Sequence, residues 1–179
     1  MNESHEEEDQ VMVEIELGRI VLRDHSSIPQ YIYLREKNGE RSFPIVIGFP
    51  EASEIQRVIT RTATERPLTH ELLHNALNTL GAHLARVDIV DIRQNTYFAQ
   101  LFLENEAGEA IATLDARPSD SVALALRAGC PIRVAESVLE QVRTDEANDP
   151  LPNPEGPPEE PPSSEDEPPQ TPPQMPPEF

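Results

Sequence analysis

Apolar and polar side chains alternate from Val13 to Leu17 within Val11-Met-Val-Glu-Ile-Glu-Leu17, and this period of two predicts a half-buried strand. Gly18 marks a bulge or bend, after which Arg19-Ile-Val-Leu22 continues the strand. Tyr31-Ile-Tyr-Leu34 and Phe43-Pro-Ile-Val-Ile47 flank Lys37-Asn-Gly-Glu40, and Asn-Gly predicts a hairpin because both residues tolerate positive φ. Pro44 lacks the N–H a ladder needs, which puts its strand at an edge or the residue at a strand start.

A helical period takes over at Pro50, with Ala52, Ile55, Val58 and Ile59 on one face. Thr69 reads as the N-cap of a second helix, with Leu72, Leu73, Ala76, Leu77 and Leu80 inward and Gly81 as the stop. Short strands follow at residues 86–92, 97–104 and 110–115, joined by turns at Gln94-Asn95 and Ala107-Gly108. Pro118 then opens a helix, since a helix's first turn has no use for the missing N–H. Val122, Ala125 and Leu126 give this helix its apolar face, and Gly129 and Pro131 end it. A brief strand at 132–134 and a last helix at about 136–143 complete the series.

Runs of hairpin-joined strands separated by helices predict an α+β fold with an antiparallel or mixed sheet. The unit strand, turn, Pro, helix occurs at residues 45–59 and again at 113–126, with Pro50 matching Pro118. The domain reads as two loosely repeated β-rich units, each followed by helices, which puts two helix N-termini in comparable places.

Composition divides the 179 residues into three parts. Residues 144–179 hold 13 of the 19 prolines and ten acids with no Lys or Arg, and residues 1–9 hold five acids and no base. Neither end has enough apolar surface to offset its ordering entropy, so both are expected to be disordered around a domain at 10–143. Within that domain 18 acids face 14 bases, so most of the net charge of −19 sits in the ends. Such acidity counts against phosphate binding, yet 13 of the 14 bases are Arg, the side chain suited to bidentate phosphate contact. The single Cys130 excludes an internal disulfide and reads as a structural thiol. No apolar run approaches about 18 residues and the N-terminus has no apolar signal core, so a cytoplasmic protein with no membrane partner is expected.

Asp115, Arg117, Ser119 and Asp120 cluster where a strand ends and a helix begins. Helix N–H groups with Arg117 and Ser119 suit an anion such as phosphate, and Asp115 with Asp120 suits a divalent cation. The structural alternative is that Asp120 stabilises the helix dipole while Arg117 pairs with Asp115 or Asp120. His70 falls in the first turn of its helix, where the dipole disfavours a cation; it reads either as a neutral general base or as an exposed helix-start His beside Glu71. Glu51 holds the same place in the repeated unit and is a further acid candidate. His70-Glu-Leu-Leu-His74 matches the two-histidine zinc pattern, but Leu80 stands where the extended motif needs its third His, so no zinc is expected.

Asp115-Ala-Arg-Pro-Ser-Asp120 with Ala123-Leu-Ala-Leu-Arg127 and Cys130-Pro-Ile132 resembles the signature of the bifunctional nuclease (BFN) domain family. Phe43-Pro-Ile-Val-Ile-Gly48 leading to Glu51-Ala52, and Arg66-Pro-Leu-Thr-His-Glu-Leu72 leading to Leu80-Gly81, resemble it in the same order across about residues 11–142. Glu71 and Ser121 depart from the family's usual Asp and Ala. The resemblance implies a nuclease acting on RNA or DNA phosphodiesters, helped by a divalent metal such as Mg or Mn. Its catalytic candidates are Asp115, Arg117, Asp120 and His70. The charge balance and the acidic tail keep another class open: a non-catalytic regulatory or scaffold domain that binds an unknown protein through its surface and tail. Either is compatible with a homo-oligomer.

Overall fold

The computed structural model describes residues 10–23 and 29–142. The expectations for residues 1–9 and for the tail at 144–179 lie outside the described residues.

The elements are β1 (Met12–Val21), β2 (Gln30–Glu36), β3 (Ser42–Ile47), α1 (Phe49–Thr60), α2 (Thr69–Thr79), β4 (Ala82–Arg93), β5 (Thr96–Asn105), β6 (Ala110–Ala116), α3 (Pro118–Ala128), β7 (Ile132–Ala135) and α4 (Glu136–Val142). All seven strands join one mixed sheet in the order β3-β2-β1-β7-β4-β5-β6, which gives the expected α+β class. Two antiparallel meanders thus flank β7, each running outward from it and each followed by a helix that begins just after Gly48 or Arg117 and carries Pro50 or Pro118 in its first turn. This is the repeat the sequence shows. β7 pairs antiparallel with β1 and parallel with β4.

Local chemistry explains most element ends. The β1–β2 register slips between Leu17 and Arg19, at the bulge marked by Gly18. Pro44 lies on β3, an edge strand, opposite Tyr33. Gln94 and Asn95 both have positive φ and turn β4 into β5. The core gathers Ile32, Leu34 and Phe43 from the first meander, Val87 and Ile89 from the second, Ile55 from α1, and Val122 and Leu124 from α3. Each such side chain stabilises the fold by about 1.5–3 kcal/mol.

The sheet curls until its margins approach. Tyr97 on β5 donates its hydroxyl to the Pro44 carbonyl on β3 at 3.3 Å, and its ring centroid lies 5.8 Å from that of Phe43, although four strands separate β3 from β5 in the sheet order. Burial pushes the Tyr97 phenol up to about 12. The same curl brings the β3–α1 turn beside the start of α3, where Ile47, Gly48, Arg117 and Pro118 line one pocket.

Two expectations need correction. No residue of α2 is fully buried: of the face expected inward, Leu77 is partly buried against the core, whereas Leu72 and Leu73 are 60% and 43% exposed and Leu80, the C-cap, is 82% exposed. The helical period marks an apolar stripe but does not say that anything covers it. Thr69 is not the cap either, because it is already helical and Leu68 precedes it in extended conformation without a side-chain capping bond. On α1, Ala52 and Ile55 are buried as expected but Ile59 is half exposed.

Candidate active site

Each meander delivers its chain to a helix through an extended residue followed by Pro in the first turn. Gly48 precedes α1 and Arg117 precedes α3, both with β-type φ and ψ. Gly48 leaves room for the Glu51 carboxylate, since a Cβ there would lie 2.5 Å from Glu51 Oε2 and push that side chain aside. At α3, Ser121 donates its hydroxyl to the Arg117 carbonyl at 2.9 Å, so the Ser that replaces the usual Ala tightens the first turn.

Arg117 ties the two helix starts together. Its Nε donates to Asp120 Oδ2 at 2.8 Å, and one terminal nitrogen donates to Asp120 Oδ1 at 3.2 Å and to Glu51 Oε1 at 2.5 Å. His70, from α2, donates Nε2–H to Asp120 Oδ1 at 2.9 Å. The side chains of Glu51, His70 and Asp120 are 10%, 14% and 28% exposed, whereas that of Arg117 is 69% exposed. The acids and imidazole are withdrawn and the guanidinium is presented to solvent.

Burial works to raise the Asp120 pKa, but the hydrogen bonds from Arg117 and His70 outweigh it and hold the carboxyl below its usual value. Asp120 is therefore ionised at neutral pH. An ionised carboxylate only accepts, so it fixes the Nε2–H form of His70 and leaves Nδ1 as the ring's accepting nitrogen. The hydrogen bonds to Asp120 and then Glu51 in turn hold Arg117 charged.

These groups open onto a cleft of about 910 Å³ with walls that include Phe49, Leu68, Leu73, Leu101 and Leu114. Mostly apolar walls with a few convergent polar groups are the usual make-up of a ligand site. Asp115 is exposed and lines this cleft with Arg117, Asp120 and His70, but Arg117 takes Asp120 and Glu51 as its partners. Ser119 is buried and lines the neighbouring pocket with Ile47 and Tyr97, away from His70. The structure thus brings together Asp115, Arg117, Asp120 and His70, adds Glu51, and sets Ser119 apart.

The donor set does not build a site for a resident divalent cation. Both Asp120 oxygens already accept from Arg117 or His70, and among the described residues no three His, Cys, Asp or Glu side chains come together as ligands. The two histidines of the zinc pattern take different partners. His70 meets Asp120, while His74 Nε2 accepts from the Asn78 amide at 3.0 Å, and burial lowers the His74 pKa.

A second Glu–Arg pair joins α1 to α3 deeper in the fold. Glu54, 1% exposed, accepts from Arg127 Nε at 3.0 Å and from Arg57 at 2.8 Å. Burial opposes the charge, but the two arginines keep the carboxyl below its ordinary value. Nothing in the local pattern announces this residue, which sits between the buried Ala52 and Ile55.

The model of the bifunctional nuclease domain matches residues 32–147, more than half of the chain and all of the elements that carry the cleft. The chain belongs to the bifunctional nuclease domain family. Among members of known sequence it is 44% identical over 110 residues to an uncharacterized protein of Mycobacterium tuberculosis, covering 62% of this chain and 64% of that one. It is similar to Bifunctional nuclease 2 of Oryza sativa subsp. japonica, 31% identical over 116 residues, and to Bifunctional nuclease 1 of Arabidopsis thaliana, 26% over 115. Each plant match covers 63% of this chain and 35% of the plant protein. The chain thus spans less than two thirds of the length of these relatives. The BFN family's three motifs converge on one place: Gly48 and Glu51 from the first, His70 from the second, and Arg117 and Asp120 from the third. Among the described residues no helix is long and apolar enough to cross a membrane.

Proposed function

We propose that this domain hydrolyses phosphodiester bonds of nucleic acid in the cleft between α1, α2 and α3. The observation that carries the reading is the His70–Asp120 bond at 2.9 Å, made across 50 residues beside an exposed Arg117. Arg117 binds a non-bridging phosphate oxygen and stabilises the charge that builds there as the attacking oxygen approaches. His70 takes the proton of the attacking water at Nδ1 and gives it to the departing ester oxygen as the scissile P–O bond breaks, and Asp120 holds the imidazole in the required form and offsets the charge it gains. Glu51 fixes the second edge of the guanidinium, so Arg117 is positioned before substrate arrives. Phe49, 46% exposed at the cleft wall, offers a face on which a base stacks. No step passes through a metal ion. Mg²⁺ or Mn²⁺ that enters with the substrate's own phosphates would add to the charge stabilisation supplied by Arg117.

The test is cleavage of labelled RNA and DNA by highly purified protein, with and without Mg²⁺ or Mn²⁺, against Asp120→Asn and His70→Gln. Both variants are expected to lose most cleavage while melting close to wild type. Activity that survives both changes comes from elsewhere and overturns the assignment. A non-catalytic partner-binding domain is the second reading, favoured by the exposed leucines of α2 and the exposed edge strand β6. It predicts no cleavage in any condition.

A further inference from the structure

In a chain of net charge −19, most arginines of the described residues are engaged by carboxylates, but Arg61 and Arg66 in the α1–α2 connection make no ion pair with any described residue. Arg61 ends α1 in left-handed conformation, with φ 53°, and lines a cavity of about 280 Å³ with Arg57, Arg127, Thr62, Thr64 and Glu71. Arg57 belongs to this cavity and to the cleft that holds Arg117, so the two share a wall.

One donor in that wall is unsatisfied. The Nε of Arg57 is buried and has no hydrogen-bond partner among the described residues, while its terminal nitrogen is held by Glu54 at 2.8 Å. A buried donor without an acceptor costs about 1–3 kcal/mol, so the Arg57 guanidinium is only partly matched by the carboxylates around it. Glu54 is taken up by Arg57 and Arg127 together, and Glu71 Oε1 stands 3.8 Å from Arg127, beyond hydrogen-bond length. Of the three guanidinium groups that line the cavity, Arg57 and Arg127 are taken up by Glu54, and Arg61 has no carboxylate partner among the described residues.

We propose that this cavity is a second phosphate subsite, which holds a neighbouring internucleotide phosphate of the strand whose scissile phosphate lies at Arg117. The ligand class is a single-stranded polynucleotide, gripped by its backbone at Arg61 and Arg57. Naming that ligand rests on the nuclease reading; the anion site itself does not. The subsite makes the domain prefer a chain with several phosphates over a small diester with one.

The experiment uses full-length protein with Arg61→Asn, because Asn tolerates the left-handed conformation, and with Arg61→Lys. Binding of a labelled ten-nucleotide single strand is measured by fluorescence anisotropy across a salt series, with inorganic phosphate as competitor. Hydrolysis of bis(4-nitrophenyl) phosphate is measured in parallel. Arg61→Asn should bind the strand roughly tenfold more weakly, the worth of one charge-assisted contact. The slope of log affinity against log salt should fall by about 0.7, as for one single-strand phosphate lost. Arg61→Lys should restore part of both, and hydrolysis of the small diester should match wild type. Unchanged strand affinity or an unchanged slope in Arg61→Asn overturns the subsite, as does a site that inorganic phosphate fills but the strand does not use. If wild-type protein hydrolyses no diester at all, the nuclease reading falls, and the binding series alone still decides the subsite.

Discussion

Replacing Arg117 by Lys separates chemistry from architecture. The change keeps one positive charge but removes the planar fork that reaches Asp120 through two nitrogens and Glu51 through one of them. With the Arg117 side chain 69% exposed, its two ion pairs fall in the solvent-screened class worth about 0.2–1 kcal/mol each. Lys recovers one of them, so the loss of stability should stay under about 1 kcal/mol, or roughly 3–6 °C in melting temperature for a domain of this size. The effect on the reaction is of another order. A misaligned charge at the developing oxyanion commonly costs about 10²- to 10³-fold in rate, equivalent to about 3–4 kcal/mol. Thermal melts and single-turnover cleavage of a labelled oligonucleotide on the same preparations give both numbers. Cleavage within threefold of wild type, or a melting temperature more than about 10 °C lower, would refute the argument that this guanidinium is held for catalysis.

Glu54→Gln should do the reverse, because it strands Arg127 and Arg57 around a nearly buried amide. About 3 kcal/mol of stability should be lost, some 10 °C by calorimetry, and whatever stays folded should still cut. Acid should act through the same carboxyls: Glu54, Asp120 and Glu36 have folded pKa values below their ordinary ones. Their contribution is complete above the unfolded values near about 4 and is lost as pH falls through the lower folded values, since the unfolded chain takes up the protons first. Urea midpoints should drop from pH 5 to pH 3, and less steeply in Glu54→Gln; a parallel drop in both proteins would contradict this. Phe49→Ala should raise KM for an oligonucleotide roughly tenfold, as one stacked base is lost, without changing hydrolysis of a small aliphatic diester. An equal effect on both substrates would remove Phe49 from strand binding.

Much of the fold is legible because it is local. The bulge at Gly18, the edge placement of Pro44 and the helix start at Pro118 each follow from what one or two residues permit. The expected β2–β3 hairpin forms although neither Asn38 nor Gly39 takes the positive φ on which it was predicted. What stays hidden is long-range. β7 has four residues and little pattern, yet it sits at the centre of the sheet because β1 and β4 both pair with it. The stripe on α2 has the period of a buried face, and only the placement of the neighbours reveals that Leu77 is covered while Leu72 and Leu73 are left exposed. At the site, Asp120 and Arg117 are three residues apart and readable as a pair, whereas His70 and Glu51 join them across 50 and 66 residues. Glu54 looks like a solvent-facing charge until Arg127, 73 residues on, is seen to reach it.

The central place of β7 sets an order of events. It follows every other strand among the described residues, and no other described strand lies between the two meanders, so the sheet that positions α1 against α3 is incomplete until residues 132–135 are in hand. Non-local pairing of this kind comes late in folding, after loop closure has been achieved. A ribosome making this protein therefore carries a growing chain whose Glu51, His70 and Arg117 are already synthesised but not yet convergent. The site is therefore complete only once β7 has been released and slots between the halves.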